Sequence, residues 1–200
     1  MNMSRFIFVA TALFALKLVK GCDLMNLRIA ILNDELDSPN ESCVFSSGCS
    51  LSNLSCRYIS YINSSVVKTF YSDLESLGNV MKGDNPCGAL YFSDNFTDAL
   101  VARIALGPDA DDETIMQSEV RVWLGKLNPT IYSTMLKLVE AAYRDFSKAL
   151  LQDCNNFTNE ENDYVETKMC INNSSSLANS IQPNDFKSFS LCWPCSRQLN

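Results

Sequence analysis

Apolar and polar positions follow two rhythms along this chain. Leu27 to Leu32 is β-branched and apolar and stops at Asn33-Asp34, which predicts a buried strand closing in a turn. Ser65 to Tyr71 and Gly88 to Phe92 predict two more strands, and the alternation of Glu119 to Leu124 predicts a half-buried fourth. Helical spacing takes over between them. Ser72-Asp73-Leu74-Glu75 has the form of a capping box, and Leu74, Leu77, Val80 and Met81 continue it to about Lys82, before Gly83-Asp84-Asn85-Pro86. Asn95 leads a shorter helix through Leu100, Val101 and Ile104 that Gly107-Pro108 breaks. Asn128-Pro129 supplies an N-cap and a first-turn proline for a helix to about Leu151. Its apolar stripe is Ile131, Met135, Leu138, Ala142, Phe146 and Ala149. The expected fold is α/β: a mixed or mostly parallel sheet of about four strands with three helices, a disulfide-linked loop and an irregular C-terminal tail.

Both ends depart from this pattern. Phe6 to Leu16 is uncharged and mostly apolar, shorter than the roughly 20 apolar residues of a membrane-spanning helix. With Arg5 before it, and Val19 and Gly21 at the −3 and −1 positions of a cleavage site, residues 1–21 read as a signal peptide. The other reading is a short or truncated membrane anchor. Residues 22–154 hold the periodic strands and helices. Residues 155–200 are rich in Asn and Ser and lack periodicity, and are expected to form a glycosylated, weakly ordered tail pinned by disulfides.

Composition narrows the chemistry. The 200 residues include nine Cys and no His, so every mechanism built on imidazole is excluded. A net charge of −7 and a pI near 4.6 argue against a nucleic-acid partner. The Cys density suits an oxidising compartment, and sequons occur at Asn40, Asn53, Asn63, Asn95, Asn156, Asn172 and Asn173. An extracellular glycoprotein is expected, secreted or tethered to the plasma membrane by its N-terminal segment. Cys43, Cys49, Cys56 and Cys154 are assigned to the framework of the domain, and Cys170, Cys192 and Cys195 to the tail. Cys22 and Cys87 are left unassigned, and spacing does not settle the connectivity. Nine is odd, so at least one thiol is free or paired between two chains.

Three constellations carry a bland reading beside a sharp one. Asp109, Asp111, Asp112 and Glu113 crowd one loop, but the Gly and distal Glu of an EF-hand are missing, so a solvated acidic loop is expected over a calcium site. Cys192-Trp193-Pro194-Cys195 is a CxxC without a strand before it or a helix after it, which favours a structural disulfide over a redox thiol. Asp34 and Glu35 are better explained by turn chemistry than by acid–base work. No catalytic, cofactor-binding or metal-binding residues are assigned, no cofactor is expected, and the chain is not expected to be an enzyme.

An ordered set of stretches carries a resemblance. LRIAILNDEL (Leu27 to Leu36) is followed by spaced Cys, LSCRYI (Leu54 to Ile59), FYSDLESLGNVMKGDNPCGALYFSDNFTDALVARIALG (Phe70 to Gly107), VRVWLGKLNPTI (Val120 to Ile131) and AAYRDFSKALLQDC (Ala141 to Cys154). Together they resemble the extracellular domain of ABC-2 type permeases, most closely that of arthropod G/H-type ABC half-transporters. The resemblance covers about two-thirds of the chain. It implies an ectodomain associated with export of lipids or hydrophobic compounds, with a transporter half or other membrane protein as partner. Under it, residues 6–18 stand where the end of the first membrane helix would be. There are departures: no GxxxxGK[ST] phosphate loop, no later apolar run for further membrane helices, and Gly125 where the family tends to have Asp. The alternative is an independent secreted glycoprotein that binds a hydrophobic ligand or a protein, or dimerises through its unpaired Cys. Asn95 is expected to cap the helix that buries Phe96. Arg103 is expected on the surface, with pairing to the acidic loop as the other reading.

Overall fold

The computed structural model describes residues 22–36, 43–83, 86–126, 128–154 and 186–191. Five strands form one mixed sheet: β1 (Arg28–Asn33), β2 (Val67–Tyr71), β3 (Gly88–Phe92), β4 (Val120–Gly125) and β5 (Phe186–Leu191). The order is β2-β1-β3-β4-β5, with β1, β2 and β3 parallel, β4 antiparallel to β3 and β5 antiparallel to β4. The helices are α1 (Leu54–Tyr61), α2 (Leu74–Gly83), α3 (Phe96–Leu106), α4 (Asp112–Gln117) and α5 (Pro129–Asp153), with a 3-10 turn at Gly107–Asp109. The expected α/β class therefore holds, with one more strand and two more helices than the hydrophobic pattern indicates.

The differences have local causes. α1 lies in the stretch expected to be loop because Ser, Cys, Tyr and Ile are weak helix formers, and its N-cap Asn53 makes no side-chain cap bond. Tertiary contacts supply what propensity does not: Cys43–Cys56 ties the helix to the preceding excursion, and α1 packs on α5 and α3. α4 begins inside the acidic loop, where Asp111 accepts a hydrogen bond from the Thr114 N–H and leaves Asp112 and Glu113 in the first turn, favourable to the helix dipole. β5 falls in the segment expected to be an irregular tail. Its apolar residues, Phe186, Phe189 and Leu191, are too few to signal a strand alone, but the free edge of β4 offers a ladder. That pairing also explains why β4 is not half-buried: Val122, Trp123 and Leu124 are all buried.

One face of the sheet carries a thick aromatic layer. Ile29, Ile31, Leu90, Phe92, Val122 and Phe189 pack there against α1, α3 and α5. Tyr58 stands at its centre, 5.7 Å from the Phe92 ring, 5.8 Å from Tyr143 and 5.9 Å from Phe146, and donates its hydroxyl to the Val139 carbonyl at 3.3 Å. The buried stripe of α5 runs through Val139, Tyr143 and Leu150, with Leu138 and Ala149 only half-buried, so it is rotated from the expected one. The other face is thinner, with Ala30, Leu32 and Ala89 covered by Leu77 and Met81 of α2. Gly88 makes close strand packing possible. A Cβ there would lie 2.6 Å from Leu124 Cδ2 and 2.7 Å from the Trp123 carbonyl oxygen.

Among the described residues there are three disulfides, Cys22–Cys87, Cys43–Cys56 and Cys49–Cys154, with sequence separations of 65, 13 and 105. Cys22 and Cys87, unassigned by sequence, join the entries of β1 and β3. Cys170, Cys192 and Cys195 lie outside the described residues, as does the CxxC they include. Such pairing fits an extracellular or secreted domain. No helix among the described residues is long and apolar enough to cross a membrane.

Candidate functional site

The polar centre of the molecule forms where β1 and β3 end. The crossover from β1 to β2 and the one back across β1 to β3 put α1 and α2 on opposite faces. After β3 the chain turns to the α1 face, where α3 meets α1. A doubly wound sheet opens a ligand crevice where neighbouring strands send their helices to opposite faces. Here β1 and β3 send theirs to the same face, and two helix N-termini converge instead.

Glu35 fills the point of convergence. One carboxylate oxygen accepts the Thr97 N–H of α3 at 2.9 Å. The other accepts the Ser55 N–H of α1 at 3.3 Å and a short bond from the Ser55 hydroxyl. Thr97 Oγ1 accepts the Leu54 N–H at 2.8 Å. Buried Asn33 donates Nδ2 to Ser55 Oγ at 2.9 Å and holds the Glu35 N–H with its carbonyl oxygen at 3.3 Å. Each first-turn amide has an orphan N–H that needs an acceptor, and a carboxylate is the acceptor the helix dipole favours. Two segments about 20 and 60 residues from Glu35 in sequence are thus capped by one side chain.

Both helices have Asn at the N-cap position, and neither side chain caps. Asn53 takes a left-handed backbone, φ 51°, which Asn tolerates better than most residues, and donates Nδ2 to the Val44 carbonyl at 3.1 Å. Asn95 is exposed, so the expected cap of α3 is replaced by Glu35. The capping-box reading of α2 shifts by one residue too: Asp73, not Ser72, accepts the Ser76 N–H, at 2.7 Å. These hydrogen bonds hold the Asp73 carboxyl below the usual range.

Beside Glu35, Asp34 receives the Tyr91 hydroxyl, and the Arg121 guanidinium lies 5.5 Å over the Tyr91 ring. Partial burial raises the Asp34 pKa, with the Asp94 charge adding to it, against the lowering effect of the Tyr91 hydrogen bond. Burial, then the Asp34 charge, pushes Tyr91 up to about 12. A depression of about 280 Å³ opens next to this network, lined by Glu35, Ser52, Asn53, Asp94, Asn95 and Asp98 among others. Its walls are polar and acidic. Chemically the arrangement fixes structure: the Glu35 carboxylate is already engaged by three donors.

The remaining expectations fall as follows. Arg103 is neither a surface residue nor a partner of the acidic loop. It is buried, donating to Ser118 Oγ at 3.0 Å and to the Ile115 carbonyl at 3.4 Å, because α3 and α4 pack as a hairpin over it. Asp109, Asp111, Asp112 and Glu113 form no cluster able to hold a metal among the described residues. Of the sequons, Asn53, Asn63 and Asn95 are exposed, while the hydroxyl residues Ser55 and Thr97 of two of them are buried in the Glu35 network. Asn40, Asn156, Asn172 and Asn173 lie outside the described residues. Sequence reasoning missed Arg57, a buried cation that pairs with Asp153 at the end of α5 and donates to the Gly48 carbonyl at 3.0 Å. An Arg inside an otherwise apolar LSCRYI run was the available signal. Comparisons with protein families, with curated protein sequences and with solved structures found no match to this chain.

Proposed function

We propose that this chain is a non-enzymatic extracellular domain of the ABC-2 permease ectodomain type, associated with export of lipids or hydrophobic compounds through a membrane partner. The carrying observation is the meeting of the segments on which the resemblance rests. Glu35 of the strand-ending Asn33-Asp34-Glu35, Ser55 of the LSCRYI stretch and Thr97 of Asn95-Phe96-Thr97 form one hydrogen-bonded unit. A shared architecture would require these segments to be present together and in this order. The engagement of Glu35 also favours a scaffold over a catalyst, since a carboxylate capping two helices is not available as a base.

Expression of the full chain in animal cells, followed by fractionation and glycosidase treatment, tests this reading. Retention in the membrane fraction with residues 1–21 intact, and recovery with a permease-type partner after cross-linking, is the expected result. Quantitative release into the medium after cleavage would overturn it in favour of an independent secreted glycoprotein.

A further inference from the structure

The disulfides among the described residues differ in how they meet solvent. Cys22–Cys87 and Cys43–Cys56 each have one deeply buried member, Cys87 at 2% and Cys56 at 1% exposure. Cys49–Cys154 has none. Cys49 ends an exposed run that starts at Ser46, and Cys154 is half-buried at the C-cap of α5. Thiol–disulfide exchange requires a thiolate to reach a sulfur, so access sorts disulfides by reactivity.

A second feature singles out the same linkage. The buried Arg57 guanidinium spans the residues that precede both of its cysteines. One nitrogen donates to the Gly48 carbonyl at 3.0 Å, and another pairs with the Asp153 carboxylate. Cys49 follows Gly48, and Cys154 follows Asp153. Arg57 itself follows Cys56, which the Cys43–Cys56 bond and the packing of α1 on α5 hold in place. The planar fork of an arginine orients two acceptors at once. Here it sets the two chain segments side by side through contacts in which no sulfur takes part. The loop between the two cysteines has a sequence separation of 105, and thiols joined only through such a loop meet rarely.

We propose that Cys49–Cys154 is a reversible thiol–disulfide exchange site, with Arg57 as the positioning residue that keeps its two thiols ready to rejoin. The co-reactant is a small thiol of the glutathione type. Its thiolate attacks Cys49 Sγ, forms a mixed disulfide there and expels the Cys154 thiolate, which takes up a proton. A second small thiol attacks the sulfur of the first, releasing Cys49 as a thiol and forming the small-molecule disulfide. The cystine gains two electrons, and the two small thiols lose them. The reverse sequence closes the bond. Leu51, Ser52 and Asn53, just beyond Cys49, line the depression of about 280 Å³ beside Glu35. Exchange at Cys49 therefore acts on one wall of that depression, while Cys43–Cys56 still ties the excursion to α1.

The test incubates the folded full chain in glutathione buffers of graded reducing strength, traps free thiols with an alkylating reagent and maps each cysteine by mass spectrometry. Cys49 and Cys154 should be alkylated about tenfold sooner than Cys22, Cys43, Cys56 and Cys87, with glutathione found on Cys49 in the intermediate. Asp153→Asn, at the exposed end of α5, should lower the ratio of closed to open Cys49–Cys154 in a fixed buffer by about tenfold. The ratio for Cys22–Cys87 should not change. Arg57→Lys, which keeps the charge and loses the fork, should act in the same way. Earlier reduction of Cys22–Cys87 or Cys43–Cys56, or glutathione on Cys154 instead of Cys49, overturns the exchange site. A wild-type ratio in Asp153→Asn, or an equal fall at Cys22–Cys87 as a merely structural role would give, overturns the positioning role of Arg57.

Discussion

The two ends of the sheet solve the same problem in opposite ways. At the end near Glu35, polar groups that burial would strand are satisfied within the chain: two helix N-termini and a serine hydroxyl converge on one carboxylate, and an asparagine braces that serine. At the end near Met25, a disulfide supplies the closure and the side chains are left outward, apolar at Leu24 and Met25 and cationic at Lys82, Lys126 and Lys187. The contrast shows that a charged cluster in a sequence has no fixed meaning. Acidic residues at one end are structural ligands of the backbone, whereas the lysines at the other have no partner within the described fold.

The sharpest way to break the comparison is to cut the links that hold the closed end. Cys49→Ser with Cys154→Ser opens a loop with a sequence separation of 105 residues. In the chain-entropy picture this should cost about 4–5 kcal/mol, read as a large fall in the denaturant midpoint. Such a change also loosens the excursion whose Gly48 carbonyl accepts from Arg57. Glu35→Ala should come next, at about 2–4 kcal/mol, because three donors lose a charged acceptor. Added formate or acetate should recover part of the loss by occupying the vacated position, and should do nothing for Asp98→Ala. If Glu35→Ala left the melting temperature unchanged, the self-satisfied description of this end would be wrong.

Smaller effects sharpen the contrast. Gly88→Ala, in the row of the opposite end, should cost about 1–3 kcal/mol, since its methyl group meets the Trp123 carbonyl and Leu124. Asp34→Asn tests the electrostatics beside Glu35. The Asp34 pKa is raised in the folded state, so its ionisation opposes folding. The wild type is therefore relatively favoured at pH below the usual 3.8 and loses that advantage as pH rises through the folded value. The variant should gain stability against the wild type across that rise, measured as paired melting curves at several pH values. The smallest effect belongs to the open end: Lys82→Glu, Lys126→Glu and Lys187→Glu together should shift folding stability by no more than about 0.5 kcal/mol per site.

The periodicity of the chain determined much by itself. Four strands, the helices behind Asp73, Asn95 and Asn128, and the α/β class follow from local spacing, because strand and helix rhythms are set by which residues must face a core. Cys density and sequons pointed to an oxidising compartment on composition alone. The tertiary structure decided what local signals could not carry. α1 and β5 exist because neighbours supply disulfide, packing and ladder partners that outweigh weak propensity. Glu35 is indistinguishable from a turn residue until Thr97 and Ser55 arrive. Arg103 looks like any surface cation until the α3–α4 hairpin closes over it and Ser118 receives it. In each case the deciding partner is far along the chain, and a one-dimensional pattern has no term for contacts that only the folded path creates.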